Sequence, residues 1–358
     1  MRYGLSASCI LLASAAAQAA QVFPVKAYLR PEEAIVVKFV NEKGEEGKKA
    51  VQELGADAAR LDWLFGPAAP TDIAGADGRP AFKVMSATGE EVKLNNVKPG
   101  ADGTVDLSAA APTLKEGGTY YVFWKDAPPL VIENLHNPGR SDSDLKRAEA
   151  RMGRPLTADE KADQFPVAAI HLEMAQIAVI TTDKGVMKAK FSYESAPYTV
   201  DNYIALSRQK FYDGAAFHRI IGDFMLQGGD GFSNVTGKAG TGGPGYEIMH
   251  EFSDKKHLRG TLSMARSSPS NGGLNDLTSY GSSYFDTSGS QFFIMIANKP
   301  YLDGSYSAFG DVYEGLDVID ALAKTPSEQG SGTVRGPMPK IQSIRILPAA
   351  PEIYMPKK

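Results

Sequence analysis

The 358-residue chain is nearly devoid of cysteine: Cys9 is the single one, and it lies inside an apolar N-terminal stretch. Downstream of that stretch there is no thiol, which excludes disulfides, thiolate catalysis and cysteine-ligated metal. An excess of one charge is also missing. Lys and Arg total 38 against 42 Asp and Glu, a formal charge of −4, so there is no basic footprint for a nucleic-acid backbone. Beyond the N-terminus no apolar run approaches the roughly 20 residues that a membrane helix needs. No G-x-S-x-G elbow is present. His250-Glu251 has its second histidine, His257, at i+7 rather than the i+4 of a zinc-protease helix.

What is present is ordinary globular composition, 43% hydrophobic and 22% charged, at a length that fits two domains. Arg2, the apolar stretch Leu5 to Ala17 and the sequence Ala17-Gln18-Ala19 read as a short secretory signal over residues 1–20. The expectation is an exported protein, periplasmic or secreted, with no membrane span once the signal is cleaved. Asn234-Val235-Thr236 fits a glycosylation sequon, meaningful only in a eukaryotic secretory route.

Residues 21–137 read as a β-rich, sandwich-like domain. Ala34 to Val40, Ala81 to Met85, Glu91 to Leu94, Thr119 to Lys125 and Val131-Ile132 are strand candidates separated by turn signals such as Thr88-Gly89 and Gly117-Gly118. A helix is expected at Lys48 to Leu54. No catalytic constellation falls here, and a binding domain and a structural appendage are both open. Residues 138–168 read as a polar helical connector, with N-caps in Ser141 to Asp144 and a stop at Gly153 and Pro155.

Residues 169–348 form the second domain, and 349–358 a tail. Met187, Ala189, Phe191 and Tyr193 alternate with Lys188, Lys190 and Ser192, the period of a half-buried strand. Ile177 to Thr182 precedes it as another strand, and Lys340 to Leu347 closes the domain. Pro197 suits the first turn of a helix whose apolar face is Val200, Tyr203, Ile204 and Leu206. Leu316 to Ala323 is a second helix. Gly240 to Gly245 (GTGGPG) matches G-x-G-x-x-G in letters, yet it follows a loop and contains Pro244, so the strand-turn-helix context of a dinucleotide site is missing.

Three blocks carry the chemistry: Phe217 to Asp230 (FHRIIGDFMLQGGD), Ser288 to Ile296 (SGSQFFIMI) and Tyr301 to Gly310 (YLDGSYSAFG). The first sets a cation that is always charged, Arg219, beside an apolar run ending in Gln227. Together, in this order and from about Ile177 to Leu347, the blocks resemble the cyclophilins, a family of peptidyl-prolyl cis/trans isomerases. The resemblance implies a mainly β fold: a closed antiparallel barrel capped by two helices, following the sandwich-like domain and its connector. It implies rotation about X-Pro bonds without metal or cofactor, proline-containing polypeptides as substrates, and a role in folding exported proteins. Arg219 matches the catalytic position. Gln227 and Gln291 match positions that hydrogen-bond the arginine and the substrate backbone. Phe224, Met225, Phe293 and Leu302 match the proline pocket, and Ala265 with Arg266 the substrate-backbone edge.

The chain departs from the family pattern at several places. Gly222-Asp223 replaces the usual Pro-Gly, Arg266 the usual asparagine, Tyr301 a common tryptophan tied to cyclosporin binding, and Tyr306 the usual histidine of the proline pocket. Ser267 to Thr287 is a Ser/Gly/Tyr-rich insertion between two site-bearing blocks. The aromatic replacements leave a second reading, a proline-peptide-binding or chaperone module with weak or no catalysis. In a third, the β-rich domain sets the biological role through a partner of its own.

Overall fold

The computed structural model describes residues 20–41, 73, 79–136, 155, 167–233, 238–266 and 288–355. The signal, the helix expected at Lys48 to Leu54, nearly all of the connector, the sequon and the insertion at Ser267 to Thr287 lie outside them.

The described residues fall into two compact units, one holding the strands up to His136 together with Val167–Gln176 and the C-terminal stretch from Pro348, the other Ile177–Leu347. The first unit has two sheets. A three-stranded sheet runs β1 (Ala20–Pro24), β3 (Val36–Asn41), β5 (Thr104–Asp106). A five-stranded sheet runs β2 (Tyr28–Leu29), β8 (Val167–Met174), β7 (Leu130–His136), β6 (Thr119–Phe123), β4 (Lys83–Ser86). Alternate residues of both sheets enter one buried cluster that includes Val37, Phe39, Val84, Val105, Val122, Ile132, Ile170 and Leu172. Trp124 and Phe82 pack against Phe39 with ring centroids at 5.2 and 4.7 Å. This is a sandwich core.

Four expectations for this unit change. Glu91 to Leu94 is not a strand: Glu91 makes a single bridge to Met85, because the turn Ser86 to Glu90 returns the chain for only one further hydrogen bond, Val92 N–H to Val84 C=O. The strand from Thr119 stops at Phe123 because Lys125 turns the backbone to φ 51°. The expected break near residue 168 falls inside β8, which pairs with β7 from Leu130↔Met174 to His136↔Val167. The stretch expected as a tail belongs to the same unit. Ala349 N–H donates to Ala175 C=O at 2.9 Å, and Tyr354 stacks on Tyr121 at 5.3 Å.

The second unit is an eight-stranded antiparallel sheet in the order β11 (Arg219–Ile221), β12 (Met225–Gly228), β14 (Phe292–Met295), β13 (Thr261–Met264), β15 (Ala308–Glu314), β10 (Gly185–Phe191), β9 (Gln176–Thr182), β16 (Ile341–Pro348). Its two edges meet. The segment leading into β11 bridges the start of β16 at Ala216↔Lys340, with Phe217 N–H to Pro339 C=O at 2.9 Å and Ile341 N–H to Ala215 C=O at 2.8 Å. Joining the edges closes the barrel and removes them as sites of unwanted pairing. Helix α1 (Pro197–Arg208) buries Val200, Tyr203, Ile204 and Leu206, and α2 (Leu316–Ala323) buries Val318, Ile319 and Leu322, as their spacing requires.

Helix α1 begins with Pro197, and its N-cap, Ala196, has no side chain able to accept a hydrogen bond. The exposed N–H groups of the first turn are met from 52 residues away. Glu251 accepts from Thr199 N–H and Thr199 Oγ1, both at 2.7 Å, and from Tyr198 N–H at 3.0 Å. It is an acid at a helix N-terminus, supplied by another part of the chain.

Candidate active site

Directly opposed residues of an antiparallel ladder point to the same side. Arg219 faces Gln227, Gln227 faces Phe293, and Phe293 faces Ser263, so four side chains form one row across β11, β12, β14 and β13. Two residues along each strand, Ile221, Met225 and Met295 form the next row. The hairpin that starts both rows turns at Gly222-Asp223. Asp223 takes φ 58°, a left-handed conformation that aspartate tolerates better than most side chains.

The polar end of the site is a relay. Arg219 Nη1 donates to Gln227 Oε1 at 3.1 Å, Gln227 Nε2 to Gln291 Oε1 at 3.0 Å, and Gln291 Nε2 to the carbonyls of Gly242 at 2.8 Å and Gly240 at 3.1 Å. Arg219 Nε donates to Ser331 C=O at 2.9 Å. Among the described residues, Nη2 makes no hydrogen bond. Burial lowers the guanidinium from its ordinary value, and arginine stays charged nonetheless. Burial also lowers His218, so the neighbouring imidazole adds no second cation at neutral pH.

The apolar end is a cluster. Met225, Phe293, Met295 and Leu302 are buried together, and Ile221, Phe224, Ala265 and Tyr306 pack around them. Tyr306 meets Phe293 nearly at right angles, 85° with centroids at 5.5 Å. Tyr301 is 66% exposed, its ring 6.1 Å from Phe224. Ala265 N–H donates to Gln291 C=O at 2.9 Å. Arg266 Nε donates to Ser305 C=O at 3.1 Å, and its guanidinium lies 4.9 Å over the Tyr306 ring. A cleft of about 730 Å³ opens beside the relay, lined by Gln227, Gln291, Ala265, Arg266, Tyr246 and the Gly240 to Gly245 loop. Arg219, Gln227 and Gln291 thus lie in the relay, Phe224, Met225, Phe293, Leu302, Ala265 and Tyr306 in or against the apolar cluster, Arg266 over Tyr306, and Tyr301 on the exposed side of Phe224.

A family model described as cyclophilin type peptidyl-prolyl cis-trans isomerase/CLD matches residues 177–346. A peptidyl-prolyl cis-trans isomerase of Synechococcus elongatus is 42% identical over 147 residues, which are 40% of this chain and 87% of the relative. One of Helicobacter pylori is 37% identical over 162 residues, 44% of this chain and 86% of the relative. This chain belongs to the cyclophilin family. A crystal structure of a Cryptosporidium parvum cyclophilin, determined in the presence of the dipeptide Ala-Pro, is 30% identical, covering 47% of this chain and 96% of that one with a TM-score of 0.39.

Within this cyclophilin the decoys resolve. The Gly240 to Gly245 stretch borders the cleft, and its glycine carbonyls accept from the relay instead of framing a helix N-terminus. His250, Glu251 and His257 do not converge on a metal: Glu251 caps α1, and His257 points elsewhere. Among the described residues, the side chains with metal-ligand spacing are Glu133, His171 and Glu173 in the first unit, with candidate ligand atoms within 4.8 Å of one another and a 2.8 Å hydrogen bond between His171 Nδ1 and Glu133 Oε2.

Two features of the site escaped sequence reasoning. Beneath Phe293, His257 Nδ1 bonds Asp303 Oδ1 and Nε2 bonds Ser263 Oγ, both at 3.1 Å. Burial lowers the imidazole, so Nδ1–H donates to the carboxylate and Nε2 accepts from the hydroxyl. The trio has the residue types of a hydrolase triad, but Ser263 is fully buried and no substrate carbonyl reaches it. It braces the row that carries Phe293. The second feature is the Ser331 carbonyl that anchors Arg219. Gly332 follows it at φ 75°, where a Cβ would collide with Ile221 and the Ile220 carbonyl. A backbone acceptor leaves no side-chain signal in a sequence.

Proposed function

We propose that Arg219 is the catalytic residue of this isomerase and that Gln227 and Ser331 hold it in place. The observation that supports this most is the guanidinium itself, tethered through Nε and Nη1 at the edge of the Phe293 cluster with Nη2 left for substrate. Rotation about X-Pro faces a barrier of about 18–20 kcal/mol from amide resonance. At the twisted geometry the prolyl nitrogen loses conjugation and its lone pair localises. An N–H of Arg219 donates to that lone pair, and the contact exists chiefly in the transition state, the condition for raising kcat. Phe224, Met225, Phe293, Leu302, Tyr301 and Tyr306 receive the proline ring. Ala265 and Gln291 bind the flanking backbone, with Arg266 beside them in the cleft wall. No nucleophile or cofactor enters the step.

Arg219→Ala is expected to lower turnover about 100- to 1,000-fold, as loss of one preorganised donor does. The fold should stay intact, because the side chain is only half-buried and is no member of the Phe293 cluster. NMR exchange spectroscopy on a short proline peptide measures both. A variant at the full rate refutes the assignment.

The chain is further read as an exported isomerase that acts on folding clients, X-Pro rotation being slow enough to limit folding. Leu5 to Ala17 followed by Ala17-Gln18-Ala19 supports export. Intact mass of protein from the exported fraction should correspond to a start at Ala20 or Gln21, and a mass that retains Met1 to Ala19 rules the signal out. The first unit is read as a domain that positions or binds clients.

A further inference from the structure

The isomerase reading leaves Arg266 in the cleft wall without a role of its own, but its geometry is specific. The 264–266 segment ties down both sides of Tyr306. Met264 N–H donates to Ser307 C=O at 3.0 Å, and Arg266 Nε donates to Ser305 C=O at 3.1 Å. Between those two ties the Arg266 guanidinium lies 4.9 Å over the Tyr306 ring and 6.0 Å over that of Phe252, which is 1% exposed. Tyr306 in turn stands edge-to-face with Phe293, in the pocket cluster. A tyrosine on a loop that follows the single turn Pro300–Leu302 has two torsions to settle, and packing on one side alone does not settle them. A planar cation over the ring does, and arginine supplies the plane, the charge and the Nε donor together.

We infer that Arg266 is a positioning residue for the proline pocket: it holds Tyr306 against Phe293 and so sets affinity for the prolyl ring, acting through Tyr306 with no part in the bond rotation. The inference rests on the isomerase reading of the same site. The substitutions of histidine by Tyr306 and of asparagine by Arg266 then form one unit, since the tyrosine needs the cation that keeps it in place. Two departures that look independent in the sequence are coupled in the structure.

The test is NMR exchange on a tetrapeptide containing an Ala-Pro bond, titrated far enough to separate KM from kcat, on the full mature chain. Arg266→Ala should raise KM about three- to tenfold, the span of a cation–π contact, with kcat within about twofold of wild type. Arg266→Gln, which keeps bulk and a planar amide without charge, should do the same and serves if the alanine variant fails to fold. Adding Arg266→Ala to Tyr306→Ala should change nothing further, because the residue acts only through the ring. A wild-type KM in either Arg266 variant overturns the inference. So does a fall in kcat at constant KM, or effects of Arg266→Ala and Tyr306→Ala that simply add. The Arg219→Ala arm separates the two levels. Full turnover there refutes the catalytic assignment, whereas an inactive Arg219 variant alongside unchanged Arg266 kinetics refutes the positioning role alone.

Discussion

The two units of this chain are made of the same material and arranged for different ends. Both are antiparallel sheets around apolar cores, and each buries a histidine against a carboxylate, His171 with Glu133 at 2.8 Å and His257 with Asp303 at 3.1 Å. In the first unit several of the polar side chains serve the local backbone. Asp106 accepts from Ala109 N–H as an N-cap, and Asp102 accepts from Thr104 N–H and Oγ1. In the barrel the polar side chains bond one another in a line, from Arg219 through Gln227 to Gln291, and the line ends on glycine carbonyls beside a cleft. Polar groups spent on turns and caps define a fold. A cation held by a chain of satisfied partners next to open apolar surface defines a site.

If that division holds, damage to the sandwich core should be a matter of stability alone. Phe39 is fully buried between Phe82 and Trp124. Phe39→Ala should destabilise the first unit by about 3–5 kcal/mol, the cost of a large cavity in a close-packed core. Urea unfolding followed by Trp124 fluorescence measures it. Turnover on a short proline peptide, at a temperature where the variant is folded, should stay within about twofold of wild type. A collapse of turnover in a folded variant would break the comparison.

How much of this is legible in the sequence depends on where each signal is stored. Thr119 to Phe123, α1 behind Pro197 and α2 are legible because apolar spacing and the turn residues around them agree. The row Arg219, Gln227, Phe293 is legible because three blocks in family order point to it. Strand β8 is not, because His171 and Glu173 occupy one face and interrupt its apolar character. Barrel closure is a fact about the Ala216↔Lys340 bridge, formed between residues 124 apart in number, that no local period records. The Ser331 anchor and the Glu251 cap share this property. One is a bare carbonyl and the other an acid 52 positions from the helix it serves.

The Glu251 cap sharpens the comparison by a smaller effect. Burial raises this carboxyl from 4.5 to about 7, outweighing the hydrogen bonds from Thr199 and Tyr198 that favour its charged form. The folded protein then holds the proton more tightly than the unfolded chain. The carboxyl therefore contributes stability that is full below about pH 4.5, declines as pH rises, and is gone above about pH 7. Glu251→Gln removes the titration. Between pH 4.5 and 7.5 the melting temperature of the variant should shift upward relative to wild type as pH rises. A difference that stays constant over that range would show that Glu251 does not titrate there, and that the α1 cap is permanently charged.

The smallest expected effect is the most telling for the division of labour. The family match spans 177–346, and the chain around it is β8 on one side and the 349–355 segment on the other, both belonging to the first unit. The relatives that match here consist of little else, since the matched residues make up 87% and 86% of two of them. Every hydrogen bond of the Arg219 relay, and every member of the Phe293 cluster, lies within Ile177–Leu347. A fragment from Ala175 to Ala349 should accordingly fold cooperatively and turn over a short proline peptide within about twofold of the full mature chain. On a partly folded protein client the full chain should act faster, because a second binding surface on the same chain raises the local concentration of client at the cleft. Two measurements decide it: peptide exchange by NMR, and refolding of a proline-limited client at equal enzyme concentrations. An insoluble or inactive fragment would place part of the catalytic fold in the β-rich unit. Equal rates on the protein client would leave that unit without a part in client binding.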